Sequence, residues 1–223
     1  DEALQWFYTV LEFDNYDKRF TQDRDVGDIW WPASPENLTY GSNSAMTYVY
    51  ISAIHCRLRQ WDAMMTAAQS AVNTDPKLPL GYLQLGTAHF MHGELTGDLE
   101  DYRLAEEAFA SVENIMPDSV FSYNMYRARV YWRLGDISNA STAYAKVARV
   151  SRFADNHREV RQFFVETAQT EALMSLYADM LIQTPRKQQY SYRWITASEA
   201  YLVAGNSQEA LSLIHISEPT RPY

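Results

Sequence analysis

Small, aromatic and apolar residues recur along this chain at helical spacing, and the whole arrangement then repeats. The clearest unit comprises Ala128, Tyr131, Gly135, Ala140 and Tyr144. Its order returns 70 positions later in Ser198, Tyr201, Gly205 and Ala210, and its second half returns 35 positions earlier in Tyr102, Ala105 and Phe109. A period near 35 residues predicts pairs of helices stacked one after another in a solenoid.

The helical pattern divides the chain into four segments. Residues 1–14 carry one apolar helical face and predict the second helix of a repeat whose first helix is missing. Residues 15–44 hold two glycines, two prolines and the pair Trp30–Trp31, and predict an irregular connection or, alternatively, a partner-binding loop. Residues 45–210 predict the helical repeats, and residues 211–223 form a tail.

The repeats differ in how closely they keep the period. Pro117 follows Pro76 by 41 positions, seven more than a 34-residue unit. We expect the surplus in residues 93–101, as a longer loop between two helices with Asp98 or Asp101 as the N-cap. The fourth repeat, over residues 151–185, lacks the usual small residue and glycine but keeps helical apolar spacing.

These residues resemble the tetratricopeptide repeat (TPR) family. The resemblance implies an all-α fold, a right-handed α-solenoid of antiparallel helix pairs whose first helices line a concave groove. It also implies a scaffold that binds a protein or peptide. The tail resembles the translation of a sequencing adaptor, so we expect it to be non-native and both chain ends to be truncated.

The resemblance also gives the groove-facing positions. Carried over to this sequence, they are Val49, Ala53, Cys56, Arg57, Leu83, Thr87, Phe90, Met91, Met125, Arg129, Trp132, Arg133, Ile195, Glu199, Leu202 and Val203. The predicted partner-binding residues among them are Arg57, Phe90, Met91, Met125, Arg129, Trp132 and Arg133. Arginine can grip a carboxylate at two points and a tryptophan can anchor an apolar side chain, which favours an apolar peptide carrying an acidic group. The alternative is that these residues meet a neighbouring helix or another copy of the chain.

Composition and charge limit the classes of partner that we expect. The chain of 223 residues has a net charge of −9, and its arginines and lysines are scattered, so we expect no nucleic-acid partner. No apolar run is long enough for a membrane helix, so we expect no direct membrane insertion by this fragment. With one cysteine, Cys56, the compartment stays open, and we favour the cytoplasm slightly.

Candidate chemistry is sparse. His89 and His92 have a spacing that can bind a metal, but no third ligand is evident beyond Glu94, so we expect no metal and no cofactor. His55 and His89 occupy the same aromatic position of successive repeats, which favours a core role. The densest acids are expected in a solvated loop: Glu94, Asp98, Glu100 and Asp101. We therefore predict a non-enzymatic scaffold or, alternatively, the repeat portion of a larger enzyme or membrane-associated assembly.

Overall fold

The structure is a computed structural model, and it describes residues 43–116, 123–151, 153–183 and 191–217 together with residues 2 and 4. The predicted segment 1–14 and the connection 15–44 therefore lie almost wholly outside the described residues. The regular elements of the described ranges are α1 (Asn43–Arg57), α2 (Trp61–Thr74), α3 (Pro79–Thr96), α4 (Leu99–Ile115), α5 (Tyr123–Arg133), α6 (Ile137–Val150), α7 (Ala154–Glu166), α8 (Thr170–Gln183), α9 (Ser191–Val203) and α10 (Ser207–Ser217). Helix α10 continues seven residues into the predicted non-native tail.

The helices fall into two compact units, Asp1–Asp136 with α1 to α5 and Ile137–Tyr223 with α6 to α10. In the first unit each helix packs against the next, and α1 also contacts α3 while α3 contacts α5. In the second unit consecutive helices pack together again, and α7 contacts α9. This is the all-α, TPR-like arrangement of antiparallel helix pairs that the sequence predicts.

Four of the first helices end in the same backbone turn. One residue of each turn has a positive φ: Arg59 at 57°, Gly135 at 75°, Ala168 at 56° and Gly205 at 87°. The amide of the following residue then donates to the carbonyl five positions earlier, as from Asn206 to Tyr201 with N and O 2.8 Å apart. This is a Schellman ending, in which a left-handed residue lets the last carbonyls find donors.

The residue seven positions before each positive-φ residue occupies the place where the two helices of a pair approach each other. In three cases it is small and buried, at Ser52, Ala128 and Ser198. In the fourth it is Arg161, whose Nη2 lies 2.8 Å from Oε2 of Glu199 on α9. The fourth repeat therefore departs from the pattern at two positions, with an arginine for the small residue and Ala168 for the turn glycine.

The longer loop predicted over residues 93–101 is wrong. Helix α3 runs on to Thr96, ten residues past Gly86, whereas the other first helices end five residues after the corresponding small residue. Helix α4 begins at Leu99, directly after its N-cap Asp98, whose Oδ1 accepts from the amide of Glu100 at 2.9 Å. The surplus residues thus extend both helices instead of forming a loop, and of the two candidate N-caps it is Asp98 that caps α4.

Each unit has its own aromatic core. In the first, the largest described cluster includes Phe90, Tyr102, Phe109, Tyr123 and Val130. In the second, the rings of Tyr144 and Phe163 lie 4.6 Å apart between centroids. His157 is fully buried beside Tyr177, with Nδ1 2.8 Å from the phenol oxygen, and this burial lowers the pKa of His157.

Candidate partner-binding surface

Five of the seven predicted partner-binding residues are exposed or half-buried. Arg57 at the end of α1 and Arg133 at the end of α5 are exposed, while the other three are half-buried, and we call all five together the first-helix face: Arg57, Met91, Arg129, Trp132 and Arg133. They lie on α1, α3 and α5, three helices of the first unit in which α3 contacts both of the others. The structure therefore brings these residues onto neighbouring elements of one compact body.

The other two predicted residues belong to the core. Phe90 is 4% exposed and packs against Tyr102 and Tyr126, with ring centroids 6.0 and 5.6 Å away. Met125 is 8% exposed. The rings of Tyr102 and Tyr126 cover Phe90. We therefore remove Phe90 and Met125 from the predicted surface.

Two of the arginines make cation–π contacts with aromatic rings. The guanidinium carbon of Arg129 lies 5.6 Å from the ring centroid of Tyr126, and that of Arg133 lies 6.0 Å from the ring of Trp132. A cation over an aromatic face is attracted by the negative face of the ring, and the contact also limits the rotamers of the arginine. The first-helix face thus presents positive charge in a restricted geometry.

Arg133 is also bound to an acid of the same chain. Its Nε and Nη2 donate to Oε1 and Oε2 of Glu94 at 2.5 and 2.9 Å, and the hydroxyl of Tyr102 donates to the same Oε1 at 2.9 Å. The hydrogen bond from Arg133 holds the pKa of Glu94 below its ordinary value. Glu94, expected in a solvated loop, is instead a helical residue that neutralises one of the predicted cations.

Asp101, like Glu94, does not lie in the solvated loop that the sequence predicts. It is 7% exposed and accepts from Nδ1 of His89 at 3.2 Å and from Nδ1 of His92 at 2.5 Å. Burial alone would raise the pKa of Asp101, but the hydrogen bonds from His92 and His89 outweigh it and lower that pKa. Dividing the surplus residues between two longer helices would have placed this acid opposite the two histidines.

The histidines are structural in this arrangement. His55 is 7% exposed, and its Nδ1 lies 2.7 Å from Oε1 of Gln60, in keeping with the predicted core role. Over the residues that the structure describes, no group of three or more histidine, cysteine or acidic side chains is placed to hold a metal ion. His89 and His92 share the carboxylate of Asp101.

A separate cleft of about 570 Å³ lies between the end of α1, the start of α2 and the end of α3. Its walls are Arg59, Gln60, Trp61, Asp62, Ala63, His92 and Leu95. Leu95 is 69% exposed because α3 continues past the level where the other first helices end. One cation and one anion line the cleft, so its charge favours neither an acidic nor a basic ligand, and we assign it none.

Arg127 ties α5 to α4 behind the first-helix face. Its Nη2 donates to Glu106 at 2.9 Å, its Nη1 donates to Glu113, and the hydroxyl of Tyr131 donates to Glu106 at 2.8 Å. Burial raises the pKa of Tyr131 to about 12, helped by that hydrogen bond. This network fixes the orientation of the helix that carries Arg129, Trp132 and Arg133.

The second unit also has an exposed apolar set. Ile195, Leu202 and Val203 on α9 are 48%, 58% and 48% exposed, at positions that the TPR resemblance assigns to a groove. Glu199 between them pairs with Arg161.

None of the helices in the described ranges is both long enough and apolar enough to cross a bilayer.

Comparisons with known proteins identify the fold and no close relative. No family model matches the sequence, and no curated protein matches it either. Among solved structures, TTC0263, a thermophilic TPR protein in Thermus thermophilus, superposes with a TM-score of 0.54 at 16% identity, over 90% of this chain and 89% of that one. The MamA protein gives 0.50 at 14% identity, over 78% and 89%.

A third neighbour is the human IFIT1 dimer with m7Gppp-AAAA, at a TM-score of 0.50 and 16% identity. The match covers 78% of this chain and 47% of that chain. Identities this low show the fold alone. Together with the helix pairs and their repeated turns, these likenesses establish a TPR-like helical-repeat fold.

Proposed function

We propose that the chain is a non-enzymatic protein-interaction scaffold that binds an acidic, partly apolar peptide segment on the first-helix face of Asp1–Asp136. The observation that carries the proposal is the half-buried Trp132, which lies between Arg129 and Arg133 on α5. Met91 lies on α3, which contacts α5. An aromatic side chain beside arginines is the composition typical of binding hot spots.

Charge supports an acidic peptide over other ligands. Arg57 and Arg129 supply cations beside Arg133, which is paired with Glu94, and Met91 and Trp132 supply apolar contact area. A guanidinium binds a carboxylate through two parallel hydrogen bonds, which fixes the direction of the peptide as well as its charge. The net charge of −9 disfavours an extended polyanion, which would meet repulsion beyond this patch.

The test is a selection of random dodecapeptides displayed on phage, followed by titration of the selected peptides. We expect Arg129→Ala to weaken an acidic peptide by about 1.5 kcal/mol, or about tenfold. The matched control is Arg103→Ala, which removes the same charge from α4, where Arg103 pairs with Glu100. Equal affinities of both variants would contradict the proposal.

Two other occupants are outcomes of the same experiment. A capped oligoribonucleotide that competes with the peptide at Arg129 would favour RNA, in line with the m7Gppp-AAAA of the IFIT1 neighbour. A concentration-dependent increase in mass that Trp132→Ala abolishes would favour a second copy of the chain. Either result would replace the acidic peptide as the ligand.

A further inference from the structure

We propose that Glu94 is an internal competitor that occupies Arg133 until a partner carboxylate replaces it. The inference rests on the proposed function, because it concerns the same surface. It gives a regulatory role to an acid that the sequence analysis expected in a solvated loop.

Glu94 exists at this place because α3 is lengthened. The other first helices end five residues after their small position, which in α3 would be Met91. Glu94 belongs to the additional turn that follows, and this turn carries it to Arg133 at the end of α5. An ordinary repeat would have ended before such an acid could reach its neighbour.

The contact copies the geometry of a bound peptide acid. Two guanidinium nitrogens of Arg133 donate to the two carboxylate oxygens of Glu94, which is how arginine grips a free carboxylate in a complex. A partner aspartate, glutamate or terminal carboxylate that binds Arg133 through the same Nε and Nη2 must displace Glu94. Glu94 and a partner acid therefore compete for this side of the guanidinium.

The pair is also exposed enough to exchange. The side chain of Arg133 is 48% exposed and that of Glu94 is 32% exposed, so solvent screens their attraction. Exposed ion pairs of this kind contribute little net stability, which leaves a partner acid able to compete. Glu94 thus lowers the affinity of the first-helix face for an acidic partner without preventing binding.

Two neighbours keep Glu94 in place when Arg133 leaves it. Tyr102 is 4% exposed, and its hydroxyl holds Oε1 of Glu94 from the core side. The positive charge of Arg129 also acts favourably on Glu94. The acid therefore has partners in both states, as a reversible competitor requires.

The expected preference is for partners with more than one acid. One acid of the partner can bind elsewhere on the first-helix face, while a second one gains Nε and Nη2 of Arg133 only by displacing Glu94. Replacing Glu94 with glutamine keeps its shape and removes its charge. Glu94→Gln should therefore tighten a two-acid peptide about fivefold and leave the glutamine counterpart of that peptide unchanged.

The decisive measurement is a double-mutant cycle with peptides selected from the dodecapeptide library against both wild type and Glu94→Gln. In wild type, Arg133→Ala should change the affinity less than about twofold, because Arg133 is already occupied. In the Glu94→Gln background it should cost about fivefold. Glu100→Gln is the control for net charge. It removes an acid from the same helix hairpin, and that acid pairs with Arg103 instead of Arg133.

The outcomes separate this inference from the proposed function. If the library yields no binder to either protein, both are wrong. If peptides bind but lack acids, the acidic-peptide function and the inference are both wrong. If acidic peptides bind but Glu94→Gln has no effect, or Glu100→Gln gives the same gain, or the gain persists without Arg133, only the inference is overturned.

Discussion

Gly86 on α3 lies so close to Phe109 on α4 that a Cβ on Gly86 would come within 2.7 Å of the ring. Phe109 is fully buried in the aromatic core of the first unit, so its ring has no free space to enter. We expect Gly86→Ala to lower the free energy of unfolding by about 1–3 kcal/mol through overpacking. The better helix propensity of alanine, about 1 kcal/mol, offsets only part of this loss.

Urea unfolding of Gly86→Ala checks this prediction against a second helical glycine. Gly81→Ala is the control, because its new Cβ would meet atoms of Val72 and Ala71 at 3.2 to 3.4 Å, contacts that require shifts of only a few tenths of an ångström. Equal unfolding midpoints for the two variants would show that α3 and α4 do not cross as closely as described.

The turns give a pair of predictions with opposite signs. Ala168 and Gly205 both have positive φ and precede the same closing hydrogen bond. A left-handed conformation costs a residue with a Cβ about 1–2 kcal/mol, so Ala168→Gly should stabilise the chain by about 0.5–1 kcal/mol after the entropy cost of glycine. Gly205→Ala should destabilise it by about 1 kcal/mol. Chemical denaturation of both variants measures the signs, and two changes of the same sign would contradict the shared turn.

Much of the fold could be predicted from the sequence because packing in helix pairs requires particular residue sizes. Ala128 and Ser198 had to be small where helices approach, and Gly135 and Gly205 had to accept a left-handed turn. Where other side chains perform these roles, the sequence showed only that the usual residues are missing. Arg161 takes the small position by pairing with Glu199, and no periodicity of apolar residues can show that.

The candidate site was predicted less well, for one physical reason. Surplus residues containing glycine are compatible with either a loop or longer helices, and the sequence pattern favoured the loop. Gly93 is in fact helical and packs with its Cα against Tyr102, since a Cβ there would lie 3.1 Å from that ring. The burial of Asp101 and the reach of Glu94 both follow from this extension, so neither was expected.

Asp101 gives a pH-dependent prediction. Because its pKa is lowered in the folded chain, its carboxylate contributes stability above its ordinary pKa, and that contribution is lost as the pH falls through the lowered value. At pH 7 we expect Asp101→Asn to cost about 1–3 kcal/mol, since His89 and His92 lose a charged acceptor. Below about pH 4 the difference from wild type should shrink.

Urea denaturation at neutral and acidic pH measures this dependence. Asp98→Asn is the control, because asparagine also caps helices and the side chain of residue 98 is exposed. A constant difference between wild type and Asp101→Asn at all pH values would mean that Asp101 does not bind the histidines as a carboxylate.

The ion pair between Arg161 and Glu199 should contribute to the stability of the second unit. The side chain of Arg161 is 11% exposed and that of Glu199 is 48% exposed. Glu199→Gln leaves a buried guanidinium without its counter-charge, so we expect a loss of about 1–3 kcal/mol. Glu100→Gln, which breaks the exposed pair with Arg103, should cost less than about 0.5 kcal/mol. Equal losses in thermal unfolding would show that Arg161 is solvated.

Binding of an acidic peptide on the first-helix face is tested most directly by amide chemical-shift mapping on the full chain with a peptide selected from the library. We predict that the largest shifts fall at Arg57, Met91, Arg129, Trp132 and Arg133, and that the side-chain Nε–H of Arg133 shifts with them. Shifts confined to the second helices α2 and α4, or to the cleft beside Trp61 and Leu95, would contradict the proposed surface.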